Sequence, residues 1–239
     1  MSPVRKSVSR RRICFPLIGG TVWMGGMNYL NTLLHVVTHE LADFYSACLL
    51  VAPDEADLAR EKFGTLDGVD IVVDRRVAGA GSGRRAVAAL ATGRDAAFAE
   101  LVLEQGAALV FENARFYGHQ FPVPVLAWLP DFQHRYLRDM FSAAAWWRRE
   151  IGFRAQCAGG REILLSSHTA EKDCHRFYPR SAGHTHVARF TATLDIPSTL
   201  ERSKQIRAAY RLPASFMFIP NQFWVHKNHR VVIESLKLL

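Results

Sequence analysis

The stretch Ile13-Cys-Phe-Pro-Leu-Ile18-Gly19-Gly20-Thr-Val-Trp-Met-Gly25-Gly26-Met27-Asn28-Tyr-Leu30 decides the fold. Ile13–Ile18 is apolar and short enough to be a buried strand. A glycine-rich turn follows. Then Met27, Leu30, Leu33, Leu34, Val37 and Leu41 recur at helical period and share one face. Strand, glycine turn and helix make the opening of a βα unit. Glycines let backbone N–H groups approach an anion, and the helix N-terminus adds partial positive charge. Ligands of open parallel sheets bind at this kind of position. A long turn that needs glycine for its backbone angles explains the same residues, and the two readings weigh evenly here. The spacing is not Gly-x-Gly-x-x-Gly, so a dehydrogenase-type dinucleotide site is unsupported.

The alternation continues outward. Phe44–Ala52 reads as a strand, and Pro53-Asp54-Glu55 opens a short helix with acids where the dipole favours them. Val69–Val73 is a strand. Two Ala-rich helices follow, broken near Thr92-Gly93. Ala107–Phe111 and Val123–Trp128 are strands, Ala143–Phe153 a helix, Ile163–Ser166 a strand, His168–Phe177 a helix and His186–Phe190 a strand. Apolar strands alternating with helices predict an α/β fold, a Rossmann-like parallel sheet with helices on both faces, over residues 13–190. Residues 191–199 contain Pro197 and lose periodicity, which predicts a linker. Helix Leu200–Tyr210, strand Phe216–Ile219 and a helix after Asn228 predict the incomplete start of a second Rossmann-like domain, 200–239, too short to bury its own core. Arg75–Arg85 is of low complexity and reads as a mobile loop. Within it, Gly81-Ser-Gly83-Arg-Arg-Ala86 fits Gly-x-Gly-x-x-Ala, but it lies well past its strand and lacks a ribose-binding acid, so the match is read as chance.

Composition limits the function classes. The 239 residues are 49% hydrophobic, and no apolar run approaches the roughly 18 residues of a membrane-spanning helix. Residues 1–12 read as a disordered basic tail, with Arg5, Lys6, Arg10, Arg11 and Arg12 and no acid; the tail carries most of the net charge of +8. A solvated tail is the expectation, with peripheral contact to an anionic membrane as the alternative and no nucleic-acid partner. Pro16 and the short apolar stretch argue against a signal peptide. Cys14, Cys48, Cys157 and Cys174 are scattered, which predicts neither disulfides nor a zinc framework and favours a reducing, cytoplasmic setting. His35 with His39, and His184 with His186, lack a third ligand, so no metal site is expected.

Several clusters carry chemistry. Leu129-Pro130-Asp131-Phe-Gln133-His134 follows a buried strand, where Asp and His suit acid–base work or sugar-hydroxyl binding. A hydrogen-bonded Asp–His pair within the loop is the plainer reading. Ser166-Ser167-His168 ends the next strand, where the hydroxyls are read as helix caps and Glu171 would complete something near a capping box. Arg135, Arg138, Arg148, Arg149 and Arg154 accompany Phe141, Trp146, Trp147 and Phe153. The mix suits a bilayer surface, or arginines snorkelling over core tryptophans, and the second reading is preferred. Lys227 precedes Asn228, the expected N-cap of the last helix. A lysine there opposes the helix dipole, and a bound phosphate would account for it.

With these residues in place, the sequence resembles family 4 glycosyltransferases, the retaining group with the GT-B fold. The resemblance rests on Gly25-Gly26-Met-Asn28-Tyr29-Leu30, Trp128-Leu-Pro-Asp131-Phe-Gln-His134, Ile163 through Ser167 with Asp173 through Pro179, and Pro220-Asn-Gln222-Phe-Trp-Val-His-Lys227-Asn-His229. It implies two Rossmann-like domains, the first for the acceptor and the second for most of the nucleotide-sugar. It also implies Asp131 and His134 as catalytic residues, and Gly25, Gly26, Asn28, Gln222 and Lys227 at the donor. Lys227 would neutralise the leaving diphosphate, and Ser166 and Ser167 would be further substrate contacts. No metal and no cofactor are implied, because basic side chains and helix dipoles stabilise the diphosphate and the nucleotide-sugar is itself a substrate. The implied partners are a nucleotide-sugar donor and a glycan or glycolipid acceptor, in surface polysaccharide or glycolipid assembly at the inner membrane.

The sequence also departs from the family pattern. Gln222 stands where many relatives are basic, Pro130-Asp131 where many have His-Asp, and Arg138 where many have proline. The family's paired C-terminal glutamates would lie past Leu239, so the chain is expected to be truncated and inactive alone. The rival expectations are a non-catalytic Rossmann-like binding module and a nucleotide-sugar epimerase.

Overall fold

A computed structural model describes residues 10–20, 23–113, 115–191 and 196–238. Seven strands are assigned: β1 (Arg11–Pro16), β2 (Tyr45–Val51), β3 (Val69–Val73), β4 (Ala107–Asn113), β5 (Val125–Leu129), β6 (Glu162–Leu165) and β7 (Thr185–Val187). They form one sheet in the order β3-β2-β1-β4-β5-β6-β7, and every neighbouring pair is parallel. Helices flank the sheet: α1 (Met24–His35), α2 (Ala56–Phe63), α3 (Gly83–Thr92), α4 (Ala96–Glu104), α5 (Gln133–Tyr136), α6 (Ala143–Ala158) and α7 (His168–Phe177). This is a Rossmann-like α/β fold. Strand order reverses between β1 and β4, so the connections that leave their carboxyl ends run in opposite directions, the place where open α/β sheets bind ligands.

The apolar strands are explained by burial on both faces. Ile13 and Phe15 of β1 pack with Leu30 and Leu34 of α1 and Phe63 of α2. Cys14, between them, faces the opposite layer with Cys48, Leu50, Phe98, Leu101 and Val102. A third cluster joins Leu129, Ile163 and Leu165 to Phe153 and Cys157 of α6 and Cys174 of α7. Each fully buried Leu or Phe contributes about 1.5–3 kcal/mol.

Four local expectations are corrected. Residues 1–9 of the expected tail lie outside the described residues, while Arg11 and Arg12 belong to β1, where Arg12 pairs with Asp70 at 2.6 Å. α1 begins at Met24, so Gly25 and Gly26 are in its first turn rather than in the loop before it. The α-helix stops at His35 and widens into a π turn, Val36–Glu40. Finally, Arg75–Arg85 is fastened rather than loose. Arg76 bridges Asp74 at 2.8 Å and Glu104 at 2.6 Å. Arg85 reaches buried Asp95 at 2.6 Å and the carbonyl oxygens of Arg76 and Ala78 at 2.6 and 2.7 Å. The glycine count suggested looseness, but guanidinium groups with several acceptors hold the turn.

The chain divides into two compact units, Met1–Ala192 and Thr193–Leu239. In the second, α8 (Ile196–Ala209) and α9 (His229–Ser235) are helical. α8 takes up much of the expected linker, whose residues 192–195 lie outside the described residues. Pro197 fits its first turn, where a missing N–H is no loss. Phe216–Ile219 is not a strand: no ladder partner exists for it among the described residues, and a strand is defined by pairing. Asn228 does precede α9, but its backbone is left-handed at φ 49° and its side chain caps nothing. Among the described residues, no helix is long and apolar enough to cross a membrane.

Candidate functional site

Gly25 and Gly26 follow the carboxyl end of β1, Asp131 and His134 that of β5, and Ser166 and Ser167 that of β6. After β1 the chain turns through Gly19 at φ 89° and Gly20 at φ 49°. A Cβ on Gly19 would stand 2.4 Å from the Trp23 carbonyl oxygen, because Trp23 N closes the turn onto Gly19 O at 2.9 Å. Only glycine fits that approach. α1 then starts with Trp23 in the capping position, no side-chain cap and no acid in its first turn. Among the described residues no side chain accepts from its leading N–H groups, and their partial positive charge favours an anion.

Gly25 and Gly26 have different tasks. Gly25 is exposed, as is Asn28 one turn further. Gly26 is buried, and a Cβ there would meet the Trp23 ring at 2.5 Å and Ile18 at 2.7 Å. Gly26 therefore seats the Trp23 indole. That ring lies nearly parallel to Trp128 at the end of β5, with centroids 5.4 Å apart and planes 8° apart. Tyr29 stacks on Trp128 at 4.4 Å, and Phe190 meets Tyr29 edge-on at 5.1 Å. Trp128 is fully buried, while Trp23 and Phe190 are 39% and 54% exposed. Burial pushes the Tyr29 hydroxyl up to about 12, so it stays protonated. This aromatic platform was missed in the sequence, although Trp23 inside the glycine turn and Trp128 at a strand end were its visible signals.

Ser166 belongs to the same platform: its buried Oγ accepts a hydrogen bond from Trp128 Nε1 at 3.2 Å. Ser167 caps α7, accepting from Ala170 N at 3.0 Å. The capping box stays half made, because Glu171 turns to His168 at 3.2 Å and Thr185 at 3.1 Å.

Asp131 and His134 are not hydrogen-bonded to each other. Asp131 is half-buried, and its Oδ1 accepts from Gln133 N and Arg149 Nη2, both at 3.0 Å. His134 is completely buried, since the short helix α5 tucks its ring against α6. Its Nε2 faces Glu150 Oε2 at 3.2 Å, and its Nδ1 is buried without a partner. Glu150 also accepts from Arg154 at 2.6 Å, from Tyr178 at 2.8 Å and from Arg135. Burial alone would raise the Glu150 carboxyl, but hydrogen bonds from Arg154, Tyr178 and His134 and the charge of Arg135 bring it below its ordinary value. Desolvation lowers the His134 imidazole, so it is neutral and donates from Nε2 to a carboxylate that can only accept. In this geometry His134 is tied to Glu150 of α6, and its ring has no face open to solvent.

Two further buried acids went unread. Glu112, near the end of β4, pairs with Arg161 and accepts from Tyr117 N at 2.9 Å; burial pushes it up to about 7 against the pull of Arg161. Asp95 caps α4 and holds Arg85. Neither acid sits in a sequence motif, so only packing reveals them.

The remaining candidates are surface features. His35 and His39 stack at 4.0 Å, and His184 and His186 share Glu162. Among the described residues, no group of three or more His, Cys, Asp or Glu is placed to hold a metal ion. All four cysteines are free and buried; Cys14 and Cys48 are register partners on β1 and β2. Arg135 lies over Trp146 at 5.6 Å, Arg138 over Trp146 at 5.2 Å and Arg149 over Phe153 at 5.5 Å, so arginines do cover aromatic rings. The tryptophans are not core, however: Trp146 is half-buried and Trp147 is 57% exposed.

In the second unit, Gln222 Oε1 accepts from Trp224 Nε1 at 2.7 Å. Lys227 ends a 3-10 turn, Val225–Lys227, with its side chain exposed and no ion-pair partner among the described residues. Its backbone N bonds Trp224 O at 2.9 Å. No protein-family model matches this chain, and no curated protein matches its sequence.

Proposed function

We propose that this chain acts in glycosyl transfer from a nucleotide-sugar to a glycan or glycolipid acceptor, with retention of configuration. The observation that carries the reading is the uncapped, acid-free N-terminus of α1 at the carboxyl end of β1, set beside the Trp23–Trp128 stack. Such a helix end favours a phosphate group, and a flat apolar face suits a base or sugar ring. Asp131, held by Arg149, is the group for substrate hydroxyls, and Gly25 leaves the backbone open to a close anion. The family resemblance assigns Lys227, in the second unit, to the charge that develops on a leaving diphosphate. His134 is assigned to positioning rather than catalysis, because it is buried on Glu150.

The test is a binding titration of this chain with UDP-glucose, GDP-mannose, NAD and inorganic phosphate, followed by a transfer assay that separates new glycoside from epimerised donor. Binding of one nucleotide-sugar that weakens at least tenfold in Trp23→Ala is the expected result. NAD binding as tight as either nucleotide-sugar, or affinity unchanged in Trp23→Ala, would remove the donor assignment. Epimerised sugar without glycoside would replace transfer by epimerisation.

A further inference from the structure

A cavity of about 790 Å³ lies between α3 and α6, away from the aromatic platform. Its size is that of a small-molecule site. The buried side chains of its lining are Phe116 and Phe153, and Phe141 adds a third ring. Toward solvent the walls are Val87 and Leu90 of α3 and Ile151 of α6, at 66%, 43% and 50% exposed. Apolar side chains left open on two facing helices would be costly on an unoccupied surface.

The charge on this cavity has one sign. Arg84, Arg115, Arg148 and Arg149 line it, and no carboxylate does. Two of the four are answered nearby. Arg149 donates to Asp131 at 3.0 Å, and Arg115 lies close enough to Glu55 to act on its charge. Arg84 and Arg148 are exposed and have no ion-pair partner among the described residues. Guanidinium groups pair with phosphate bidentately, which matches an anionic head.

Gly152 adds a third observation. It sits inside α6 in the cavity wall, where a helix ordinarily disfavours glycine. A Cβ built there meets no atom within 4 Å. The glycine therefore does not relieve a clash within this chain, and it keeps the cavity wide.

From the apolar floor, the uncompensated arginines and the open wall, we infer that this cavity binds a single-chain, phosphate-bearing amphiphile. The hydrocarbon chain lies against Phe116 and Phe153, and the phosphate lies at Arg84 and Arg148. Arg149 both lines this cavity and donates to Asp131, which links the cavity to the proposed hydroxyl-binding acid. In that respect the inference names the acceptor class and rests on the transfer reading. The binding itself is measured without any sugar donor, so the two ideas fail separately.

The experiment titrates the 239-residue chain with monododecyl phosphate below its micelle concentration, by calorimetry and thermal shift. Dodecyl maltoside, inorganic phosphate and phosphatidylglycerol vesicles serve as comparators. Saturable one-to-one binding of dodecyl phosphate, at least tenfold tighter than dodecyl maltoside, is expected. Gly152→Leu should weaken it tenfold or more with a melting temperature no lower than that of the parent. Arg84→Gln with Arg148→Gln should erase the preference for the phosphate head while leaving the melt unchanged. Equal affinity for the maltoside, full affinity for inorganic phosphate alone, or unchanged binding in Gly152→Leu would each overturn the assignment. So would sedimentation with vesicles in the absence of saturable monomer binding, which would make this face a membrane surface instead.

Discussion

Glu150 accepts a hydrogen bond from His134 Nε2 at 3.2 Å, and neither side chain is exposed to solvent. Arg135, Arg154 and Tyr178 converge on the same carboxylate. Removing it leaves a buried imidazole and phenol unpaired and two guanidinium groups uncompensated. Glu150→Ala should therefore destabilise the first unit by about 3–5 kcal/mol, the range for breaking a buried pair from one side. Glu150→Gln keeps the shape and one acceptor and should lose less. Urea denaturation of both variants measures this, and a loss under ~1 kcal/mol in Glu150→Ala would return the network to the status of a surface pair.

Glu112 reports the opposite pH sense. Burial raises its carboxyl from 4.5 to about 7, so the folded chain holds that proton more tightly than the unfolded chain. Its contribution is fully present below the unfolded value of 4.5 and is lost as pH rises through about 7. His134 runs the other way. Its lowered value makes the unfolded chain the stronger proton binder below 6.5, so its contribution is lost on acidification. Wild type minus Glu112→Gln isolates the first effect. That difference should shift against wild type by about 3 kcal/mol between pH 4.5 and 7.5. A flat difference would mean that Arg161 holds Glu112 ionised throughout.

The two glycines of α1 should separate in a mutational test. Gly26→Ala drives a methyl group into Trp23 and Ile18 at 2.5 and 2.7 Å, so the indole must leave its seat on Trp128. Overpacking of this kind costs about 1–3 kcal/mol and should weaken the near-ultraviolet tryptophan dichroism. Among the described residues, Gly25→Ala meets the Trp23 indole alone, at 3.2 Å from Nε1 and 3.8 Å from Cδ1, and alanine is the better helix former. Its melt should match or exceed that of the parent, while nucleotide-sugar affinity falls. Equal melts for the two variants would contradict the seating role of Gly26.

Lys227→Ala should leave stability within about 0.5 kcal/mol of the parent, because the side chain is exposed and unpaired among the described residues. Under the transfer reading, affinity for the nucleotide-sugar should fall at least tenfold, because the ammonium meets the donor diphosphate. A binding titration and a thermal melt on the same preparations decide it. Unchanged affinity would make Lys227 a solvated surface residue.

The sequence by itself determined the layered α/β architecture. Val69–Val73 and His168–Phe177 fall at the ends expected, and other strand and helix ends shift by a few residues. Strands buried on both faces must be continuously apolar, and amphipathic helices must repeat every three to four residues, so both patterns are local and visible in one dimension. The break at Gly93 was legible for the same reason, since its φ of 85° favours glycine. Phe216–Ile219 failed because strand propensity without a partner does not make a ladder. Arg75–Arg85 failed because composition cannot reveal that Asp95, Asp74 and Glu104 converge on two of its arginines.

Only the tertiary structure decided the arrangement of the candidate site. It placed Trp23, Tyr29, Trp128 and Ser166 together and sent His134 inward to Glu150. It also put one glycine of the Gly25-Gly26 pair beneath an indole and left the other open. These are contacts between residues far apart in the chain. Which way a side chain points at a strand end depends on what packs over it, and that is fixed only when the strands and helices assemble.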